Sequence, residues 1–211
     1  MVEREFFSFG AGRACFNGPD GVLPRPIHEG GNVMERKDAV TMKGRPMTLV
    51  GPELKVGDKA PEFECIDALS RPVRLSDTMG KVRLIASVPS LDTSVCEVET
   101  ERLNTEARML PVDKVAMIVI SMDLPFAQER FCGMKDIKVA MTLSDHRSAS
   151  FGTAYGVLMK EVRLLSRALF VVDGSGVIRH VEYVGEVSRH PDYPAALDVV
   201  RGLMGKAAKA A

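Results

Sequence analysis

One run of residues constrains this fold more than any other. VAMIVIS (115–121) is continuously apolar and largely β-branched, the pattern of a strand covered on both faces rather than one. Upstream, KVRLIASV (81–88) reads as a second, central strand. Between them lies Val95–Leu110, where Val95, Val98, Leu103, Ala107 and Leu110 fall near helical spacing. A buried strand flanked by strand and helix needs cover above and below, so the chain is expected to form an α/β sheet between helices.

The remaining segments extend that pattern. VTMKGRPMTLV predicts a hairpin turning at Lys43-Gly44-Arg45, and the stretch around Cys65 and RPVRLSD supply short extended pieces. PFAQERFCG reads as a short helix begun by Pro125 and stopped by Gly133. VAMTLSD is a strand and SASFGTAYG a helix ending at Gly156. ALFVVDGSGVIRHVEYV (168–184) is a hairpin turning at Asp173–Gly176, and PDYPAALDVVRGLM closes the chain with a helix. This order predicts a thioredoxin-like fold: a mixed central β-sheet flanked by helices, with an extra N-terminal β-hairpin. One domain is expected over residues 34–211. Residues 1–33 read as a disordered extension, because nine of 33 positions are Gly or Pro and no hydrophobic period persists. A second reading leaves that stretch untranslated, with Met34 as the start, since Glu29-Gly30-Gly31 would be encoded by a purine-rich, ribosome-binding-like string.

Composition narrows the function. Lys+Arg and Asp+Glu both number 28, a balance that gives no support for a nucleic-acid or anionic-membrane partner. No apolar run approaches the ~20 residues of a spanning helix, and MVEREFFSFGAG lacks the features of a secretory signal, so a cytoplasmic protein is expected. Cys15, Cys65, Cys96 and Cys132 lie far apart with no C-x-x-C, and His28, His146, His180 and His190 form no HExxH pair. Neither a disulfide framework nor a metal site is expected, and no cofactor. His180 and Cys65 fall in strand patterns and read as a satisfied sheet residue and an inert core thiol.

Cys96 differs. In VPSLDTSVCEVETERL an apolar strand runs through Pro89 into SLDT, and the cysteine falls in the first turn of the helix. The unsatisfied N–H groups there favour a thiolate.

Around Cys96 the residues resemble a known family. Pro89-Ser-Leu-Asp-Thr93-Ser-Val-Cys96 matches the peroxiredoxin pattern P-x-x-x-T-x-x-C. DLPFAQERFCG (123–133), VAMTLSDHR (139–147), AYGVLMKE (154–161) and SRALFVVD (166–173) are similar to the thiol peroxidase subfamily, the atypical two-cysteine peroxiredoxins. Ser94 stands where many members carry proline, a position that contributes backbone shape rather than chemistry. The resemblance implies Cys96 as the peroxidatic cysteine beside Thr93, Cys132 as the resolving cysteine, and Arg167 as an arginine projecting into the peroxidatic pocket. It also implies reduction of hydrogen peroxide and organic hydroperoxides, recycling by thioredoxin, and a homodimer. Leu124–Phe126, Val157–Met159 and Asp145–Phe151 would lie near the pocket or the dimer surface.

Ionising a free thiol completely raises its reactive fraction only about 30-fold, small beside enzymatic accelerations of about 10⁶ or more. The remainder must come from aligning the O–O bond with sulfur and stabilising charge on the leaving oxygen. Arg167, the Thr93 hydroxyl and the Cys96 N–H supply donors, and Pro89 shields the pocket without competing for the peroxide. A sulfenic acid on Cys96 then needs a second thiol. Cys132 lies 36 residues on, on another helix, so either the start of the Cys96 helix or the Cys132 helix is expected to unwind for the bond to form. Three rivals remain on the residues alone. A thiol–disulfide oxidoreductase would need the C-x-x-C that Cys96-Glu-Val-Glu99 lacks, a single-cysteine peroxidase would not use Cys132, and a redox sensor would not turn over.

Overall fold

The computed structural model describes residues 34–207; the expectations for residues 1–33, Cys15 and His28 among them, lie outside the described residues. Strands β1 (Glu35–Met42) and β2 (Arg45–Val50) form the N-terminal hairpin. Its two-residue turn, Lys43-Gly44, has φ of 53° and 75°, the left-handed pair that matches strand twist in tight hairpins. Next come β3 (Glu64–Ile66), β4 (Pro72–Arg74), a 3-10 turn (Leu75–Thr78) and β5 (Val82–Ser87). The second half holds α1 (Ser94–Arg108), β6 (Val115–Ser121), α2 (Pro125–Lys135), β7 (Met141–Ser144) and α3 (Ser150–Ala154). It ends with β8 (Leu158–Met159), β9 (Ala168–Val172), β10 (Ile178–Tyr183) and α4 (Tyr193–Ala207).

Seven strands form one mixed sheet in the order β10-β9-β5-β6-β7-β3-β4. β5, β6 and β7 run parallel, joined through α1 and α2, while β9 lies antiparallel to β5. The apolar strands sit in the middle because both their faces are buried. Leu84, Ala86, Val115, Met117, Val119, Leu169 and Val171 pack with Leu103, Phe131 and Leu197 on one side. Ile85, Ile118, Ile120, Phe170 and Val172 pack with Phe63, Phe151 and Tyr155 on the other. The two-residue period sends alternate side chains to opposite layers.

The hairpin joins a second sheet of order β1-β2-β8. β8 escapes the sequence reading because two residues carry no periodicity, yet it pairs Leu49 with Met159 and Val50 with Leu158. Gly156, expected to end a helix, follows α3 with φ +62°, and a Cβ there would lie 1.9 Å from the Pro52 carbonyl oxygen. The Arg36 guanidinium donates to the Gly156 carbonyl and fastens the hairpin at this point.

Two helices depart from expectation. α2 runs past Gly133 to Lys135 and closes at Asp136, whose φ of 53° is left-handed; Gly133 keeps a φ compatible with the helix, so it is no stop. In α1 the buried stripe is Cys96, Glu99, Thr100, Leu103, Asn104 and Ala107, not one beginning at Val95 and Val98. Val98 is 52% exposed. The first two turns bury polar groups, which a hydrophobic period does not register.

Candidate active site

The register of β9 against β5 builds the site. Ser87 pairs with Ala168, so Arg167, just before β9, lies beside the end of β5, where the chain enters Pro89–Thr93. Ser87 Oγ donates to the Ser166 carbonyl at 2.7 Å and ties the two segments together. Arg167, whose strand-flanking place would by default face solvent, is buried at 1% exposure, and Cys96 at 0%. Pro89 is buried at the head of the loop.

Arg167 Nη2 lies 3.1 Å from Cys96 Sγ, Nη1 donates to Glu99 Oε2, and Nε donates to the Val187 carbonyl at 3.0 Å. Thr93 Oγ1 lies 2.9 Å from Cys96 Sγ and 3.0 Å from the Ser90 carbonyl. A hydroxyl has one hydrogen, so a thiolate can receive it and release the carbonyl. Thr93 is the N-cap of α1, yet its side chain makes no capping bond. The first intrahelical bond is Glu97 N–H to the Thr93 carbonyl, which leaves the Cys96 N–H in the unpaired first turn. Guanidinium, hydroxyl and helix N-terminus thus converge on one sulfur, a donor set suited to a sulfur anion and to an oxygen gaining negative charge beside it.

Cys132 lies on α2 with its Sγ 3.2 Å from Thr142 Oγ1. Burial pushes its thiol above the ordinary range, and the Thr142 hydroxyl partly opposes this. Cys96, Cys132 and Cys65 are all free thiols. Cys65, 1% exposed, donates to Asp145 Oδ1 at 3.6 Å, and burial pushes its thiol far up, as suits a core residue.

Three groups around the site escaped the sequence reading. Glu99 neutralises Arg167 from α1; it follows Cys96 by three residues, on the same helical face, and a carboxylate on a stripe with Leu103 and Ala107 was the available signal. Asp123 accepts from Ser90 Oγ at 2.8 Å, Leu91 N–H at 2.7 Å and Ser121 Oγ at 2.8 Å, pinning the Cys96 loop to the segment before α2. The Val187 carbonyl belongs to a loop with no pattern to read. Val157, Leu158 and Met159 are spent in packing at 0%, 4% and 0% exposure, whereas Leu124 and Phe126 are 53% and 71% exposed. Asp145 and Phe151 are buried in the core. His180 is in β10, but its Nε2 has no partner among the described residues, so it is not the satisfied residue expected.

Residues 55–197 match the redoxin family. A thiol peroxidase of Halalkalibacterium halodurans is 49% identical over 166 residues, spanning 79% of this chain and 99% of the relative. The chain is a peroxiredoxin of the thiol peroxidase branch. Another thiol peroxidase, from Listeria monocytogenes, is 52% identical over 162 residues, 77% of this chain and 97% of its own length. The crystal structure of a peroxiredoxin-like protein from Aquifex aeolicus superposes with a TM-score of 0.74 at 40% identity, covering 79% of this chain and 97% of that one. The enzyme therefore has the thioredoxin-like architecture that its element order predicts.

Proposed function

We propose that Cys96 is the nucleophile of a thiol-dependent peroxidase, with Arg167 and Thr93 as the groups that orient and polarise the peroxide. The observation that carries this reading is the convergence of the Arg167 guanidinium and the Thr93 hydroxyl on Cys96 Sγ, at 3.1 and 2.9 Å. The thiolate attacks the nearer peroxide oxygen, the O–O bond breaks, and Cys96 becomes a sulfenic acid. The departing hydroxide or alkoxide takes up a proton and leaves as water or alcohol. The Arg167 guanidinium answers the charge as it passes from sulfur to oxygen.

The Cys132 thiol then attacks the sulfenic sulfur, forming an intrachain disulfide and releasing one water. A dithiol reductant, thioredoxin by the family's pattern, returns both cysteines to thiols. Two copies associate, with the exposed Leu124 and Phe126 as apolar surface for the contact; cysteines spaced too far apart for a disulfide framework suit a reducing, cytoplasmic setting. Among the described residues no helix is long and apolar enough to cross a membrane.

The test is NADPH consumption coupled through thioredoxin reductase and thioredoxin, with hydrogen peroxide or an organic hydroperoxide as substrate. Turnover that disappears in Cys96→Ser supports the reading. Turnover that survives Cys96→Ser, or thiol oxidation without any thioredoxin-dependent cycle, overturns it.

A further inference from the structure

Of the three partners that fix the Arg167 guanidinium, one leads out of the site. Nε donates to the carbonyl of Val187, in the loop between β10 and α4. That loop is laid alongside the N-terminal hairpin. Thr41 N–H donates to the Gly185 carbonyl at 2.7 Å, and Val187 N–H donates to the Thr41 carbonyl at 2.9 Å, a parallel bridge between Thr41 and Glu186. The Glu186 carboxylate completes the attachment. It accepts from Thr41 Oγ1 at 2.8 Å, from Lys43 N–H at 3.1 Å and from Gly44 N–H at 3.0 Å. Within its own loop it accepts from Ser188 N–H at 3.1 Å and Ser188 Oγ at 2.7 Å. The Gly44 N–H and these other donors hold the carboxylate well below its ordinary range, so it stays anionic.

We propose that Glu186 is a positioning residue for the peroxidase reaction, and that the N-terminal hairpin is the fixture against which the Arg167 guanidinium is aimed at Cys96. The inference rests on the reading of Arg167 given above. The path is continuous: hairpin turn N–H groups, Glu186 carboxylate, Val187 carbonyl, Arg167 Nε, and Nη2 at 3.1 Å from the sulfur. Without the Glu186 carboxylate the loop keeps the two Thr41 backbone bonds, the 3.2 Å contact of the Thr41 hydroxyl with the Gly185 carbonyl, the Val184 N–H bond to the Arg167 carbonyl at 3.0 Å and the Val187 side chain buried against Val40, Met47 and Leu49, but it loses its ties to the hairpin turn. The Val187 carbonyl then gains freedom, and the guanidinium with it. Catalytic groups act through angstrom-scale alignment, so this freedom reaches the oxidation step.

The test measures the second-order rate of Cys96 oxidation by hydrogen peroxide. The chain has no Trp to report by fluorescence, so rapid quench with mass spectrometry follows the sulfur. Wild type, Glu186→Ala, Glu186→Gln, Arg167→Ala and the Glu186→Ala/Arg167→Ala double variant are compared, with thermal melts of each. Glu186→Ala should slow oxidation about tenfold, with Glu186→Gln restoring part of the loss, while the later condensation with Cys132 keeps its rate. In the Arg167→Ala background the same change should cost less than about twofold, since coupled residues are not additive. An equal slowing in both backgrounds, slowing of both chemical steps together, or a folded Glu186→Ala at the wild-type rate overturns the proposal. If Glu186→Ala does not fold, Glu186→Gln alone and combined with Arg167→Ala decides the same comparison. Arg167→Ala oxidising at the wild-type rate would overturn the reading of Arg167 itself, and that outcome is visible without any Glu186 variant.

Discussion

Arg83 on β5 and Arg167 just before β9 are both buried arginines, at 0% and 1% exposure, on neighbouring segments of the central sheet. Arg83 donates from Nη1 to the Lys81 carbonyl at 2.6 Å, whereas its Nε and Nη2 have no partner among the described residues. Arg167 has a partner at all three nitrogens, one of them the Cys96 sulfur. A buried guanidinium is costly to keep, and the full set of partners marks the second as built for a task. Arg167→Ala should lower the rate of Cys96 oxidation by on the order of 10² to 10³, well beyond any fall in the thiolate fraction. Measuring thiolate absorbance and oxidation rate on the same variant separates the two, and a rate that falls only in step with the thiolate would leave Arg167 no role in the transition state. Asp145 makes a different residue-scale prediction. Burial raises its carboxyl to about 6, against an ordinary 3.8, although the N–H groups of Gly152 and Phe151 oppose the shift. The fold therefore holds the protonated form more tightly than the unfolded chain does. This stabilisation is fully present below about pH 3.8 and is lost as pH rises through about 6. The loss amounts to roughly 3 kcal/mol, at ~1.4 kcal/mol per unit. Urea unfolding of wild type and Asp145→Asn from pH 4 to 7 should show the wild type losing stability relative to the variant across that window; a constant difference would sink the idea.

At the scale of elements, the two cysteine-bearing helices are tied together at both ends of α2. Asp123 holds the Cys96 loop at one end. At the other, Asn104 Oδ1 accepts from Lys138, Val139 and Ala140 N–H at 3.0–3.2 Å, and Lys135 pairs with Glu97 and Glu101. Between the anchors, α2 leaves Phe126 and Met134 71% and 66% exposed, while Phe131 beside Cys132 is 3% exposed in the core, so a local opening around Cys132 must withdraw Phe131. Cys132→Ser should oxidise once at close to the wild-type rate, because the groups around Cys96 are untouched. Its sulfenic acid should then persist or advance to sulfinic acid, and thioredoxin-coupled turnover should fall sharply. Cys65→Ser should alter neither step. Sulfenic trapping and peptide mass mapping check both; a Cys65–Cys96 bond, or full coupled turnover by Cys132→Ser, would show that the resolving cysteine lies elsewhere.

At the scale of the whole molecule, the hairpin sheet and the seven-stranded sheet meet where the loop after β10 runs alongside Thr41 of β1. The described fold lies within residues 34–207, and we propose residues 34–211 as the catalytic unit. A protein beginning at Met34 should fold with unchanged melting temperature and retain its peroxide turnover. Failure of that truncation to fold, or loss of most of its turnover, would make residues 1–33 part of the working enzyme.

The sequence by itself determined the order of the longer elements and marked Cys96 as the candidate nucleophile. Short, β-branched apolar runs such as VAMIVIS favour a doubly covered strand, and a cysteine at a helix start beside P-x-x-x-T is a local pattern, complete within eight residues. It also offered Arg167 and Cys132, through resemblance to a family rather than through any property of their neighbourhoods. What only the tertiary structure decided is how Arg167 comes to be held. Its partners Glu99 and Val187 lie 68 and 20 residues away, and the Glu186 contact to Gly44 spans 142 residues. β8 shares this origin, being too short to show a period and existing only because β2 is there to pair with it. Patterns along a chain report burial against an average neighbour. They do not report a specific charge, carbonyl or turn N–H brought from a distant segment, and the aim of the guanidinium depends on those.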